Sequence, residues 1–283
     1  MAAMAHTPSP DGDVRLVGGL AYAAPIGFRP LLLDLYRPAA GADPAPLVVF
    51  MHGGGWLRGD RSMVSPSFAS WRPGPLARLA ADGFAVASVD YRLSGEARFP
   101  AQLEDVAAAV DWLTGHAGEY GFDAGRIVLW GESAGAHLAA LLGLRLPTPT
   151  GVRGVVDWYG PADLTALQEQ VGVAGALTDD PLDTREARLL GAPVAAVPEL
   201  ARAASPIGHV RAGAPPFLIA HGTADRMVPF RQSEALAAAL AEAGAGVRFE
   251  AIEGADHMWI GVDDPTPLFD AVVAFAREVT GGP

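Results

Sequence analysis

Residues 127–144 read IVLWGESAGAHLAALLGL, in which an apolar run meets Gly-Glu-Ser-Ala-Gly and an alanine- and leucine-rich segment follows. The run that ends at Trp130 predicts a strand buried on both faces, and the segment after Gly135 predicts a helix. A serine between glycines at such a junction is typical of a nucleophile elbow, a sharp turn that presents the hydroxyl above the sheet. The alternative is an ordinary turn, because G-x-S-x-G arises easily by chance in a chain with 34 glycines. The strand–turn–helix setting favours Ser133 as a nucleophile.

Short runs with strand character recur on both sides of this junction. They are VRLVGGLAYA, PLLLDLYRP, PLVVFMHG, FAVASVDYR, RIVLWG, GVVDWYG, PFLIAHG and VRFEAIEG. The helix candidates include AQLEDVAAAVDWLTGHAGEYG, with apolar residues at 103, 106, 110 and 113, and RQSEALAAALAEAG and PLFDAVVAFAREVTG, which each end at a glycine. This alternation predicts an α/β fold, with about eight strands in a mostly parallel sheet that helices cover on both faces. The first two strands have no helix between them and should form an antiparallel edge.

Residues 161 to about 206 interrupt the alternation. They contain several prolines and only short helical pieces, namely ADLTALQEQ, TREARLLGA and PELARAA. We interpret this segment as a cap that is inserted between two strands and lies over the carboxyl edge of the sheet. The sequence contains neither an internal repeat nor a low-complexity linker, so residues 1–283 are predicted to form a single domain.

The composition disfavours several classes of function. A formal net charge of -12 argues against nucleic acid and anionic membranes as partners. Cysteine and lysine are absent, which excludes a thiol nucleophile, a disulfide framework, a P-loop lysine and a Schiff base. No apolar run approaches the roughly 20 residues of a transmembrane helix, and the first residues lack the pattern of a signal peptide. We therefore expect a cytoplasmic protein without a membrane partner, for which a homodimer is one option.

A serine hydroxyl is a poor nucleophile unless a base removes its proton and a carboxylate orients that base. PFLIAHGTAD runs as a strand into a turn that contains Asp225, and FEAIEGADHMW runs as the next strand into a loop that contains His257. The chain order Ser133, Asp225, His257 is the one that accompanies an elbow of this kind. Glu253 and Asp256 are competing acids, but Asp256 neighbours His257 in sequence and would rarely reach its ring nitrogen.

The other histidines have different expected roles. His137 lies one helical turn beyond the serine and is predicted to be a buried packing residue. His221 is predicted to be a turn residue near the acid, and His6, His116 and His209 lack a site context. No HExxH motif or close cluster of histidines and acids occurs, so we expect neither a metal nor a cofactor.

The stretch FMHGGGWLRGD follows an apolar strand directly. Consecutive glycines allow backbone N–H groups to approach an oxyanion that side chains would block, although a merely flexible loop would look the same. Beside an elbow, the run is interpreted as an oxyanion loop in which Gly54 and Gly55 donate together with the N–H of Ala134. His52 is expected to fasten the loop and not to react.

The chain resembles the α/β-hydrolase esterases of the hormone-sensitive-lipase and bifunctional feruloyl and acetyl-xylan esterase type in the motifs HGGGW, DYRL, GESAG, YGPADL, SPIGHV, HGTAD and DH. The resemblance covers about residues 30–275 and implies the α/β-hydrolase fold. It also implies that the triad and the oxyanion hole consist of Ser133, Asp225, His257, Gly54, Gly55 and Ala134.

Two departures from that family limit what the resemblance implies about the substrate. Ala136 stands where the family often has a second glycine, and the loop DRSMVSPSFASWRPGP is longer than usual. The acyl and alcohol pockets therefore cannot be copied from relatives. The aromatic and sulfur-bearing residues expected near the site are Trp56, Phe68, Trp71, Tyr159, Met258 and Trp259.

These features predict a serine carboxylester hydrolase. The cap is broken by Pro181, Pro193 and Pro198 and lacks a long amphipathic lid, so acetyl to butyryl esters, or esters of aromatic or sugar alcohols, are the expected small-molecule substrates. An arylformamidase and a small peptidase-like hydrolase stay open as alternatives. A non-catalytic binding protein on the same fold is a further alternative, although such proteins usually lose a triad residue.

Overall fold

The computed structural model describes residues 7–8, 14–38, 44–145, 147, 150–171 and 183–282. Within these ranges, nine strands form one sheet in the spatial order β1-β2-β3-β5-β4-β6-β7-β8-β9. Their bounds are β1 Thr7–Pro8, β2 Val14–Ala23, β3 Leu31–Pro38, β4 Ala45–Met51, β5 Ala85–Val89, β6 Phe122–Glu132, β7 Val152–Trp158, β8 Phe217–Gly222 and β9 Val247–Ile252. The predicted sheet of about eight strands is confirmed, because the additional strand is the two-residue β1 at one edge.

The sheet is antiparallel on one side and parallel elsewhere. β2 pairs antiparallel with β3, and β3 pairs antiparallel with β5, which confirms the predicted edge. In the order β5-β4-β6-β7-β8-β9 every pairing is parallel. β4 and β5 are buried along their whole length, as expected for predominantly apolar strands that helices cover on both faces. The carboxyl ends of the parallel strands meet at a single edge of the sheet.

Helices cover both faces of the sheet. Within the described ranges they are α1 Pro75–Ala81, α2 Ala101–Tyr120, α3 Ala134–Leu144, α4 Leu164–Val171, α5 Arg185–Leu190, α6 Pro198–Ala203, α7 Arg231–Glu242 and α8 Thr266–Thr280. One apolar core forms between the sheet and α2, α3 and α7, and a second forms between the sheet and α1 and α8. No described helix combines the length and the apolar character that crossing a membrane requires.

The three helices predicted from periodicity are confirmed as α2, α7 and α8. α2 and α8 each end at a glycine in the left-handed region, Gly121 with φ 73° and Gly281 with φ 77°. In α7 the glycine comes one residue later: Ala243 follows the helix, and Gly244 after it adopts φ 75°. These positions favour glycine because a side chain there would strain the backbone.

The chain between β7 and β8 carries α4, α5 and α6, which are the three short helical pieces of the predicted cap. The Phe99 N–H, in the loop after β5, donates a hydrogen bond of 2.8 Å to the Leu189 carbonyl. On the nucleophile helix, His137 Nε2 lies 2.6 Å from the Ala204 carbonyl oxygen. The insertion therefore contacts the carboxyl edge of the sheet, whereas its limits as a cap stay a prediction. Pro181 lies outside the described residues.

Candidate active site

Ser133 lies between the last residue of β6 and the first residue of α3, with φ 54° and ψ -117°. The two glycines of the motif make this turn sterically allowed. A Cβ on Gly135 would lie 2.5 Å from the His52 carbonyl oxygen, and a Cβ on Gly131 would overlap the backbone of Gly135. The G-x-S-x-G spacing is therefore needed for α3 to pack directly on the ends of β4 and β6.

The ends of β8 and β9 bring an acid and a base to Ser133. The Ser133 hydroxyl donates to His257 Nε2 over 3.0 Å, and His257 Nδ1–H donates to Asp225 Oδ2 over 2.7 Å. The side chain of Asp225 is fully buried and that of His257 is 4% exposed. The hydrogen bond at Nδ1 leaves the lone pair of Nε2 facing the serine, which is the arrangement that a general base requires.

Asp225 is held ionised by its surroundings. Its other oxygen accepts hydrogen bonds of 2.8 Å from the N–H groups of Met227 and Val228. Burial alone would raise the pKa of Asp225, but the hydrogen bonds from His221 and His257 outweigh it and hold the pKa below its ordinary value. The carboxylate can thus orient the imidazole and stabilise an imidazolium.

His221 was expected to be a turn residue near the acid; it lies near the acid, but within β8 and not in the turn, and its ring contacts Asp225. Its Nε2–H donates to the Val228 carbonyl over 2.9 Å and lies 3.2 Å from Asp225 Oδ2, while the Ser233 hydroxyl donates to Nδ1 over 2.7 Å. The HGTAD motif was the signal for this contact in the sequence. It has a histidine near the end of a strand, four residues before the acid. His221 therefore helps to position the acid through the same oxygen that accepts from His257.

The competing acids do not contact the ring of His257. Asp256 accepts a hydrogen bond of 2.8 Å from the backbone N–H of His257, and its carboxylate forms an ion pair with Arg226. Glu253 is exposed to solvent. The geometry leaves Asp225 as the carboxylate that meets the imidazole.

The glycine loop after β4 lies beside the elbow, because a Cβ on Gly53 would be 3.4 Å from Ser133 Cβ. Gly54 has φ 111° and Gly55 has φ 64°. Within the described part of the chain, the N–H groups of these two glycines and of Ala134 have no protein acceptor. Backbone N–H groups that have no protein acceptor and lie next to a nucleophile can bind an anion.

His52 fastens this loop, as expected. Its Nδ1 lies 2.7 Å from the Gly53 carbonyl oxygen, and its ring stacks on Tyr91 with centroids 4.3 Å apart. The Tyr91 hydroxyl donates to the His52 carbonyl over 2.9 Å. Burial lowers the pKa of His52, so the ring stays neutral.

Non-glycine residues with positive φ gather around the triad. Among the described residues they are Trp56, Ser133, Tyr159, Met258 and Trp259, with φ between 48° and 62°. Each follows the carboxyl end of a parallel strand. Such backbone strain costs on the order of 1–3 kcal/mol per residue and collects at functional sites, where the surrounding structure enforces it.

Five of the six expected substrate-binding residues belong to, or pack against, the two apolar cores: Trp56, Phe68, Trp71, Tyr159 and Trp259. Trp259 has no exposed surface and packs edge-on against Trp158, with ring centroids 5.3 Å apart. Phe68 is 2% exposed and stacks on the same Trp158 ring at 5.8 Å. Trp71 packs against Phe269 of α8. These contacts place Phe68, Trp71 and Trp259 against the core beside α8, where large apolar rings bury well, and their contact with a substrate stays a prediction.

Tyr159 and Met258 lie close to His257, and Trp56 contacts the nucleophile helix. The Tyr159 ring is 4.7 Å from the His257 ring, and Met258 is half-buried directly after it. Trp56 is 2% exposed and its indole points to His137. Their contact with a substrate stays a prediction.

The long loop of residues 60–75 fastens the turn that holds His257. The hydroxyls of Ser65 and Ser67 each donate to the Met258 carbonyl over 2.8 Å, and the Ser65 N–H donates to Glu132 over 3.2 Å. Burial raises the pKa of Glu132 to about 8, so this carboxyl is protonated at neutral pH. Sequence reasoning missed these residues, because nothing local links a serine at 65 to a turn at 258.

His137 joins three parts of the site. The Trp56 indole N–H donates to His137 Nδ1 over 3.2 Å, and His137 Nε2–H donates to the Ala204 carbonyl. Burial lowers the pKa of His137 to about 4. The expected buried packing residue is thus neutral and links the glycine loop, α3 and the cap.

Two further features concern the surroundings of the triad. Ala136, the departure from the family pattern, is accommodated by a glycine, because a Cβ on Gly160 would lie 2.8 Å from Ala136 Cβ. Across the described ranges, no group of three or more histidines and acids is arranged to hold a metal ion.

Comparisons with known proteins agree with this architecture. The family model described as BD-FAE matches residues 33–240. Esterase LipQ of Mycobacterium tuberculosis is 33% identical over 245 residues. That match covers 82% of this chain and 55% of LipQ, so the chain spans little more than half the length of this relative.

Two groups of solved structures share the fold. A truncated carbohydrate esterase from gut microbiota superposes with a TM-score of 0.80 and 28% identity, over 97% of this chain and 99% of that one. Thermogutta terrifontis esterase 2 superposes with a TM-score of 0.71 and 28% identity, over 92% of this chain and 93% of that one. The latter has been solved with propionate bound, with butyrate bound and phosphorylated by paraoxon.

Proposed function

The chain belongs to the BD-FAE family, and we propose that it is a serine carboxylester hydrolase that transfers an acyl group through Ser133. The observation that carries this proposal is the continuous hydrogen-bonded path from Ser133 through His257 to Asp225. The esterase relatives support the same reaction class.

In the first half of the reaction, His257 Nε2 accepts the Ser133 proton while Oγ attacks the ester carbonyl carbon. Asp225 stabilises the imidazolium that forms. The electron pair of the carbonyl moves to its oxygen, which accepts hydrogen bonds from the N–H groups of the glycine loop. His257 then gives its proton to the leaving alcohol oxygen as the carbon–oxygen bond breaks.

In the second half, a water molecule replaces the alcohol. His257 accepts a proton from this water while its oxygen attacks the acyl-enzyme carbonyl, and the proton then returns to Ser133 as the acid leaves. The N–H groups of Gly54, Gly55 and Ala134 stabilise the oxyanion in both halves. Apart from the ester and this water, each group in these steps is a residue of the chain.

We propose acetyl to butyryl groups as the preferred acyl groups. The propionate- and butyrate-bound forms of the Thermogutta esterase support this size range for a related site. A series of esters with acyl chains of about two to sixteen carbons tests it, because each methylene without a place in the pocket forfeits about 0.8 kcal/mol of burial. A maximum of kcat/KM beyond about ten carbons would contradict the proposal.

The nucleophile is tested by Ser133→Ala. Because the triad acts as a unit, we expect kcat to fall by about 10⁵- to 10⁶-fold in a folded protein. Ser62→Ala, at an exposed serine bonded to Asp60, is the control and should retain full activity. A phosphonate probe should label Ser133 alone, and near-normal turnover by folded Ser133→Ala would refute the mechanism.

The same preparation separates the remaining alternatives. Hydrolysis of N-formylkynurenine in preference to phenyl acetate would identify an arylformamidase, and cleavage of a peptide amide would identify a peptidase-like enzyme. A cytoplasmic location and a homodimer stay proposals; sedimentation of the purified protein tests the latter.

A further inference from the structure

Arg185, the first residue of α5, lies over the oxyanion loop. A Cβ on Gly55 would lie 2.5 Å from Arg185 Cδ and 3.0 Å from its Nε. The side chain of Arg185 therefore occupies the space that any larger residue at position 55 would fill. Gly55 thus has a second role beside its backbone N–H, because it makes room for a cation next to the oxyanion hole.

Within the described residues, the Arg185 guanidinium has neither an ion-pair nor a hydrogen-bond partner, although the residue is half-buried. By contrast, two arginines of the loops that follow β4 and β5 are neutralised. Arg92 pairs with Asp105 at 2.7 Å, and Arg61 pairs with Asp34 at 2.8 Å. The carboxylate of Glu186 interacts electrostatically with Arg185 but forms no ion pair with it, so the guanidinium donors stay free for an anionic ligand at this cleft.

Two further arginines lie at the glycine loop and at α5. Arg58 follows the same loop, and its Cγ would lie 3.3 Å from a Cβ on Gly54. Arg98 lies against Gly191 at the other end of α5. Neither side chain has an ion-pair partner among the described residues. In a chain with a formal net charge of -12, Arg58 and Arg185 thus both bring positive charge to the glycine loop.

We propose that Arg185 is a specificity-determining residue that binds a carboxylate carried by the ester substrate. This inference rests on the proposed ester hydrolase and narrows its substrate class to esters with an acidic group a few bonds from the scissile carbonyl. A guanidinium can hold a carboxylate through two parallel hydrogen bonds. This contact would hold the ester in position while the N–H groups of the glycine loop bind its carbonyl oxygen.

The test compares acidic esters with neutral amides of the same shape. The acyl-side pair is monophenyl succinate and phenyl succinamate, and the alcohol-side pair is 3-acetoxybenzoate and 3-acetoxybenzamide, with spontaneous hydrolysis subtracted. We expect wild-type protein to prefer the carboxylate in at least one pair by about 10-fold or more in kcat/KM, since hydrogen bonds to charged groups are stronger than neutral ones. The preference should appear in KM and weaken as salt is raised.

Arg185→Gln should abolish this preference, lowering kcat/KM for the carboxylate by about 10- to 100-fold while the amide and phenyl acetate change less than about threefold. Arg185→Lys keeps a charge and the methylene packing and should retain part of the preference. Arg188→Gln is the matched control, because Arg188 lies on the same helix, is 46% exposed and pairs with Asp183. It should behave as wild type.

Three results would overturn the proposal: no carboxylate preference in either pair, equal losses for carboxylate and amide in Arg185→Gln, or the same effect from Arg188→Gln. Equal losses would mean that Arg185 only packs the cap on the loop. Failure of the proposed ester hydrolase is recognised separately, because phenyl acetate turnover would then survive in Ser133→Ala.

Discussion

Single residues determine how closely the backbone can approach the reacting carbonyl. Gly54 has φ 111°, and a Cβ there would overlap the Arg58 carbonyl oxygen. A larger residue must therefore displace the loop together with its N–H groups. Because the donors are backbone groups, displacement is the way in which a substitution can remove them.

We expect Gly54→Val to lower kcat by at least about 100-fold, the scale of losing one oxyanion donor, with a smaller change in KM. Steady-state kinetics and the affinity for a trifluoromethyl ketone that mimics the tetrahedral state measure this loss. Gly74→Val is the control, since Gly74 has open space around it and no positive φ. If Gly54→Val had an unchanged kcat, the glycine run would be a flexible loop that does not supply oxyanion donors.

The acid of the triad is a second test at this scale. Asp225→Asn should lower kcat by roughly 10⁴-fold, because the amide no longer selects the tautomer of His257 or stabilises its charge. Glu253→Gln, at an exposed position, should have little effect. Since the pKa of Asp225 lies below its ordinary value, its charge should be constant across the pH range of a kinetic profile. If Asp225→Asn kept the wild-type kcat and Glu253→Gln lost it, Glu253 and not Asp225 would be the acid that pairs with His257.

At the scale of elements, α3, the glycine loop and the cap meet at one side chain. His137 is fully buried on α3, accepts from Trp56 of the loop and donates to Ala204 at the end of α6. A ring without nitrogens would leave a buried indole N–H and a buried carbonyl without partners. Each such group costs about 1–3 kcal/mol.

His137→Phe should therefore lower the free energy of unfolding by about 2–5 kcal/mol and reduce kcat more than it raises KM, since the loop carries the oxyanion donors. Denaturant unfolding and kinetics at the same temperature measure both effects. His116→Phe, a histidine on α2 whose ring stacks on Trp112, is the control. Wild-type kinetics in a destabilised His137→Phe would assign His137 to packing alone.

At the scale of the whole molecule, buried carboxyls make stability depend on pH. Burial raises the pKa of Glu132 to about 8 and that of Asp157 to about 6. In the unfolded chain these groups ionise near pH ~4. The folded protein thus retains protons that the unfolded chain has released, so stability falls as the pH rises from about 4 to about 8. The pKa values of Asp225 and His137 are lowered in the folded protein, so at acidic pH these two groups make stability rise as the pH rises.

We expect Glu132→Gln to flatten the alkaline part of this profile. At about pH 9 it should unfold at a higher temperature than wild type, while near pH 5 the difference should be small, because Glu132 is then protonated in the folded state. Thermal unfolding across this range measures the effect, with Glu253→Gln as the control. If Glu132→Gln and wild type lost the same stability at alkaline pH, this result would contradict the raised pKa of Glu132.

Much of the fold could be predicted from local patterns. Strand positions follow from short apolar runs, helix positions follow from the period of 3.6 residues, and caps such as Gly281 follow from the backbone freedom of glycine. The elbow at Ser133 and the loops that carry Asp225 and His257 were visible for the same reason. Each is a short segment next to a strand end, and parallel strands bring their carboxyl ends to one edge.

Only the tertiary structure decided which side chains face the cleft and which face the core. Phe68 and Trp259 are distant in sequence, yet both pack on one tryptophan at the end of β7. The contact of Arg185 with the glycine loop likewise joins separate segments. Such contacts depend on how elements pack in three dimensions, and burial of an aromatic ring is equally favourable in a core and in a pocket. Local composition therefore cannot distinguish the two.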